Sequence, residues 1–181
     1  MAQKHHPNKT FEKVFIALGG ILVVVLLVIG SLAWYGYTFA TNSVHDELVS
    51  QKIFFPEAGS AGFTAEEYPT LQQYGGQQVD SGVKAKAYAN EYIGHHLTKI
   101  AGGKTYSEVS ALAMVDPTNT TLASQKATLF QGETLRGLLL GDGYSFWLFG
   151  QIGMYVALAS FAGAAILLVV STLGWIHLRR V

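Results

Sequence analysis

Two stretches, 14–40 and 143–176, contain no Asp, Glu, Lys or Arg. Each is longer than the roughly 20 residues that cross a hydrocarbon core. Within 14–33 there are fourteen Leu, Ile, Val or Phe residues. At about 0.3 to 0.6 kcal/mol each they favour insertion by about 4 to 8 kcal/mol, with no charge opposing them. Trp34, Tyr35 and Tyr37 follow the first stretch, while Tyr144, Phe146, Trp147 and Trp175 bracket the second, as interfacial aromatics do. A chain with half its residues hydrophobic and 13% charged fits this class better than a soluble domain.

The expected fold class is therefore all-α, with two transmembrane helices and a mostly helical, loop-rich region between them. The expected order is a cytoplasmic tail over 1–13, a span over 14–40, an extracytoplasmic region over 41–143, a span over 144–176 and a cytoplasmic tail over 177–181. Lys4, Lys9 and Lys13 precede the first span and Arg179 with Arg180 follow the second, so both termini are expected in the cytoplasm. Residues 46–142 hold seven basic and eleven acidic residues, which agrees in sign. Ser31-Leu32-Ala33 has the spacing of a signal-peptidase site, but the apolar run is long for a signal peptide and aromatics follow at once, so the segment reads as an anchor. The chain has no cysteine, which removes disulfides, covalent c-type haem and iron–sulfur ligation.

Between the spans, Pro56, Gly59, Gly62, Pro69, Gly75, Gly76 and Gly82 punctuate a loop over 53–82. Its aromatics Phe54, Phe55, Phe63, Tyr68 and Tyr74 must be laid on a membrane surface, on the chain's own helices or on a partner. Helices are expected at about 83–101, 105–114 and 121–140. The first has Val83, Ala87, Ile93, Leu97 and Ile100 as its apolar face, and Gly102-Gly103 stop it. The second opens with a capping box from Thr105 to Glu108 and closes before Pro117. The third has Ala123, Ala127, Phe130, Thr134 and Leu138 on one face and is expected to break at Gly141-Asp142-Gly143. Helices this short and Ala-rich predict a thin core that needs support from the membrane or from another protein.

Few residues offer chemistry. Glu91 and His95 share a helix face next to His96, which is the best arrangement for holding a metal ion, but no third ligand stands at diagnostic spacing. A solvent-facing histidine pair accounts for them equally well, and no metal or other cofactor is expected. Asn119-Thr120-Thr121 has sequon spacing and is better read as a helix cap by Thr120 or Thr121. Leu140-Gly-Asp-Gly-Tyr144 stands where two-span potassium channels carry their filter, yet its residues and order differ from Thr-Val-Gly-Tyr-Gly. Gly150, Gly153, Ala157, Ala159, Gly163 and Ala164 on the second span suit close helix packing, against the first span or against a partner. No nucleotide loop, nucleophile elbow or paired-carboxylate site is present, and the chain does not read as an enzyme.

Three segments carry a resemblance. Gln77-Gln-Val-Asp-Ser-Gly-Val-Lys-Ala-Lys-Ala-Tyr-Ala89, Gly102-Gly-Lys-Thr-Tyr-Ser-Glu-Val-Ser110 and above all Leu129-Phe-Gln-Gly-Glu-Thr-Leu-Arg-Gly-Leu-Leu-Leu140 resemble a group of two-span actinobacterial membrane proteins, the respiratory supercomplex association factors. The resemblance covers most of the region between the spans and the second span. It implies a bacterial plasma-membrane accessory subunit without cofactor, partnered by integral membrane subunits of respiratory complexes III and IV. Its implied contact residues are Gly132, Leu135, Arg136, Leu138 and Leu139 at the membrane edge, with Gly150, Gly153 and Ala157 on the span. A self-assembling pore and a membrane-anchored binding or sensor module are the alternatives.

Overall fold

The computed structural model describes residues 9–180, so the first eight residues of the tail expected over 1–13, Lys4 among them, and Val181 lie outside the described residues. The fold is all-α. Its helices are α1 (Lys9–Gln51), α2 (Gly82–Ala87), α3 (Gly94–Ala101), α4 (Tyr106–Val115), α5 (Thr120–Leu138) and α6 (Phe146–Arg180). A π-helical turn over Tyr88–Ile93 joins α2 to α3, and another over Leu139–Ser145 joins α5 to α6. Among the described residues there is no strand, only a single bridge between Phe54 and Gln78.

The chain divides into two compact units. The first comprises the described residues up to 39 and those from 150 onward, and holds the apolar parts of α1 and α6. These two helices are long and apolar enough to cross a membrane, and only 11% and 17% of the residues in their apolar windows are buried within the protein. A core helix of a soluble protein would be mostly covered, whereas these apolar side chains face outward.

Inside this unit the small residues of α6 are where α1 touches it. A Cβ on Gly153 would lie 3.1 Å from the Ala33 carbonyl oxygen, and one on Gly163 would lie 3.4 Å from Leu26. In return Gly30 of α1 lies under the Phe161 ring, 2.6 Å from a built Cβ, and Gly19 lies under Ser171. Removing side chains lets the backbones approach, which is the usual basis of helix association where no water drives it.

The second unit, residues 40–149, has its own core. Phe55, Phe63, Leu71, Val79, Val109, Leu129 and Leu139 are its largest fully buried side chains. This corrects the expectation of a thin core. The missing volume comes from the loop, which lays its aromatics on the chain's own helix: Phe55 meets Tyr88 edge-on at 5.0 Å, Phe63 meets Tyr92 at 5.7 Å and Tyr68 meets His95 at 5.0 Å. Edge-to-face pairs at these separations add about 0.5 to 1.5 kcal/mol each beyond their burial.

The helix over 82–101 buries Ala85, Ala89, Ile93, Leu97 and Ala101, a strict step of four. In a straight α-helix that step drifts about 40° each time. The wider turn at Tyr88–Ile93 takes up part of the drift and keeps the row facing the core. The expected face is therefore corrected at its start, where Val83 is exposed and Ala85 and Ala89 are buried.

The expected break at Gly141-Asp142-Gly143 does not occur. The segment is a π turn that continues into α6, and Ser145 Oγ donates to the Leu140 carbonyl at 2.8 Å. Gly143 is there for proximity, since its Cβ would lie 3.2 Å from that of Ala85. Trp147 packs partly buried on this core against Gly82, whose built Cβ would lie 2.5 Å from the indole. The capping box at α4 is formed in both directions, with Thr105 N–H donating to Glu108 Oε2 at 2.7 Å and Glu108 N–H to Thr105 Oγ1 at 3.3 Å. At α5 the cap is Asn119, whose Oδ1 accepts from Leu122 N–H at 3.1 Å, not Thr120 or Thr121. An Asn in extended geometry presents its carbonyl to the free amides of the first turn.

Candidate functional site

The polar side chains of the second unit gather along the seam between the loop and the helix over 82–101. Glu67 accepts from His95 Nε2 at 3.0 Å and from the Lys99 ammonium. Thr70 donates to Glu91. A cleft of about 480 Å³ follows, lined by Tyr68, Thr70, Glu91, His95, Thr98 and Arg136. The Lys99 hydrogen bond foremost holds the Glu67 carboxyl below its ordinary 4.5; burial opposes it, and the Lys99 charge and then His95 add to the lowering. Tyr68 is 3% exposed, and its hydroxyl stands near the Glu67 carboxylate without a hydrogen bond of good geometry. Burial and then the nearby Glu67 charge push the phenol up to about 12. These contacts fasten the loop to the helix.

The seam also separates the expected metal candidates. His95 turns to Glu67, Glu91 turns to Thr70, and His96 lies tilted against the Tyr92 ring at 5.9 Å. Among the described residues no three His, Asp or Glu side chains gather in a way that would hold an ion.

The expected contact residues of α5 are mostly turned inward. Gly132 lies under Leu97, whose Cδ2 would stand 2.5 Å from a built Cβ. Leu135 packs partly buried on the core, and Leu139 is 2% exposed within it. Arg136 donates through Nε to the Ala89 carbonyl at 3.0 Å and through a terminal nitrogen to both Glu133 oxygens at 2.9 and 3.0 Å. The Ala89 carbonyl lies at the π turn and also takes the Gly94 amide, so Arg136 braces an irregular backbone. Leu138 alone of this set faces outward, at 55% exposure. On α6, Gly150 and Ala157 are buried within the protein, and Gly153 abuts Ala33 of α1.

One surface escaped the reading of the sequence. Ala123, Ala127, Phe130, Thr134 and Leu138, expected on one face of the third helix, do share a face, and it is an exposed stripe along α5, while Leu122, Leu129 and Leu139 turn inward. Beside it α4 ends in exposed Leu112, Met114 and Val115. Both rows have helical spacing, and the loop's contribution to the core decides which one is covered. The signal that could have found it is the composition of the two rows, since Leu122, Leu129 and Leu139 are the more apolar and are the ones covered.

No protein-family model, curated protein or solved structure matches the chain, so what it does has to be read from its own surface.

Proposed function

We propose that this chain is a non-catalytic accessory subunit of an actinobacterial respiratory supercomplex, holding a cytochrome bc complex and cytochrome c oxidase together by protein contacts. It crosses the plasma membrane twice, with both termini in the cytoplasm, and needs no cofactor of its own. The observation that carries the reading is that the segment with the strongest resemblance, 129–140, lies on a helix whose outer face leaves Phe130 and Leu138 more than half exposed. The positively charged ends of the chain support the orientation. The loop seam, whose polar groups are spent on tethering, supports a structural role over a catalytic one.

Deleting the chain from its host tests this. The expected outcome on native gels is loss of the large band containing both complexes, with the haem content of each separate complex unchanged. An unaltered large band in the deletion strain contradicts the reading. A second reading, an external binding module carried by two spans, is favoured by the self-contained core of residues 40–149. It predicts that the deletion leaves the respiratory assembly untouched.

A further inference from the structure

We propose that the outward face of α5, with the π turn beyond it, seats one helix of a second membrane-anchored protein, apolar along its contact edge and carrying an acid opposite Lys126. The inference rests on the accessory-subunit reading and gives that reading a surface. The stripe from Ala123 through Ala127, Phe130 and Thr134 to Leu138 advances by four, three, four and four residues, which is the pattern of a helix edge that meets another helix. Phe130 is 58% exposed. A hollow lies at each end. One of about 460 Å³ is walled by Tyr106, Ala123, Ala127 and Phe130, and one of about 550 Å³ by Val44, Leu48, Leu138 and Phe149.

Gly137 and Gly141 lie at the lower end of the stripe, and a Cβ on either would meet nothing within 4 Å. Two such glycines in a helix cost about 1 kcal/mol each relative to alanine. The chain's own packing makes no use of that cost, whereas close approach of another helix does.

Three occupants compete. The helix runs without interruption from Thr120 to Arg180, so Ala123 stands about 39 Å along it from Phe149. Lipid tails would leave the Lys126 ammonium beside hydrocarbon with no acid to meet it, which disfavours lipid as the cover of the stripe. A second copy inserted in the same membrane would lie parallel at the same height, bringing Lys126 to Lys126 and Asp142 to Asp142. Neither residue has a salt-bridge partner among the described residues, and like charges across an interface disfavour self-pairing. A different helix with an acid opposite Lys126 meets the charge and fills both hollows.

The test places a photoreactive benzophenone side chain at position 130 of the full-length chain in native membranes, with position 61 on the loop as control. The expected result is an adduct to one other membrane-anchored chain, mapped to an apolar helix with an acid facing Lys126. Gly137→Leu keeps or raises the thermal midpoint, because a Cβ there meets nothing within 4 Å and leucine is the better helix former, yet it lowers the co-purified partner about tenfold. Lys126→Glu lowers it similarly, and reversal of the partner's acid to lysine restores it. Adducts only to a second copy or to lipid, or a partner yield unaffected by Gly137→Leu, overturn the surface and leave the accessory reading standing. Absence of any co-purifying protein with the unmodified chain overturns both.

Discussion

Tyr68 and the glycines show how single positions divide between structure and surface. The buried Tyr68 hydroxyl forgoes a hydrogen bond, which costs about 1 to 3 kcal/mol. Tyr68→Phe is therefore expected to raise unfolding stability by about 1 kcal/mol, read by thermal melting in detergent; a loss of stability would mean the hydroxyl has a partner. Gly82→Ala should destabilise by about 1 to 3 kcal/mol because its methyl group strikes Trp147. Gly137→Ala should stabilise by up to about 1 kcal/mol, having open space and better helix propensity. The two substitutions are chemically identical and opposite in expected sign, so paired melts decide between them. Titration gives a further check. The Glu67 carboxyl titrates below its ordinary 4.5 when folded, so its contribution is present above that pH and is lost as pH falls through the lower folded value. Tyr68 titrates above its ordinary 10 when folded, so its contribution is present below pH 10 and is lost as pH rises towards about 12. Stability that is flat across both windows would contradict the seam.

At the scale of elements, α5 is the instructive case. Leu138 and Leu139 are neighbours on one helix, the first exposed and the second sealed in the core. Leu139→Ala is expected to cost about 2 to 5 kcal/mol in stability and Leu138→Ala less than about 0.5 kcal/mol, both measured by chemical denaturation. Equal losses would place the helix face wrongly. The helices themselves were legible from the sequence through their stops and caps, as the formed Thr105 capping box illustrates. Their facing was read less well. Two rows at helical spacing run along α5, and the one with more apolar area, Leu122, Leu129 and Leu139, is the one the core covers. The π turns were hidden, because nothing in Tyr88–Ile93 announces a widened turn before Ala85, Ala89, Ile93 and Leu97 are seen to need one. Glycine was misread at 141–143 because it serves both as a helix stop and as a point of close approach, and the approach of Ala85 settles which.

For the whole molecule, two facts combine. A pair of helices presents apolar side chains outward over lengths that suit a bilayer, and a self-contained unit displays an uncovered helix edge. The two long apolar helices were readable directly from the absence of charge over 14–40 and 143–176. The self-contained core was not, since it depends on aromatics drawn from a loop with no periodicity of its own. An affinity tag on the C-terminus of the full-length chain, gentle solubilisation from native membranes, and a redox difference spectrum of the eluate with a mass-spectrometric inventory test the account most directly. The account predicts haem bands of b, c and a type together with subunits of complexes III and IV; a colourless eluate containing this chain alone would contradict it.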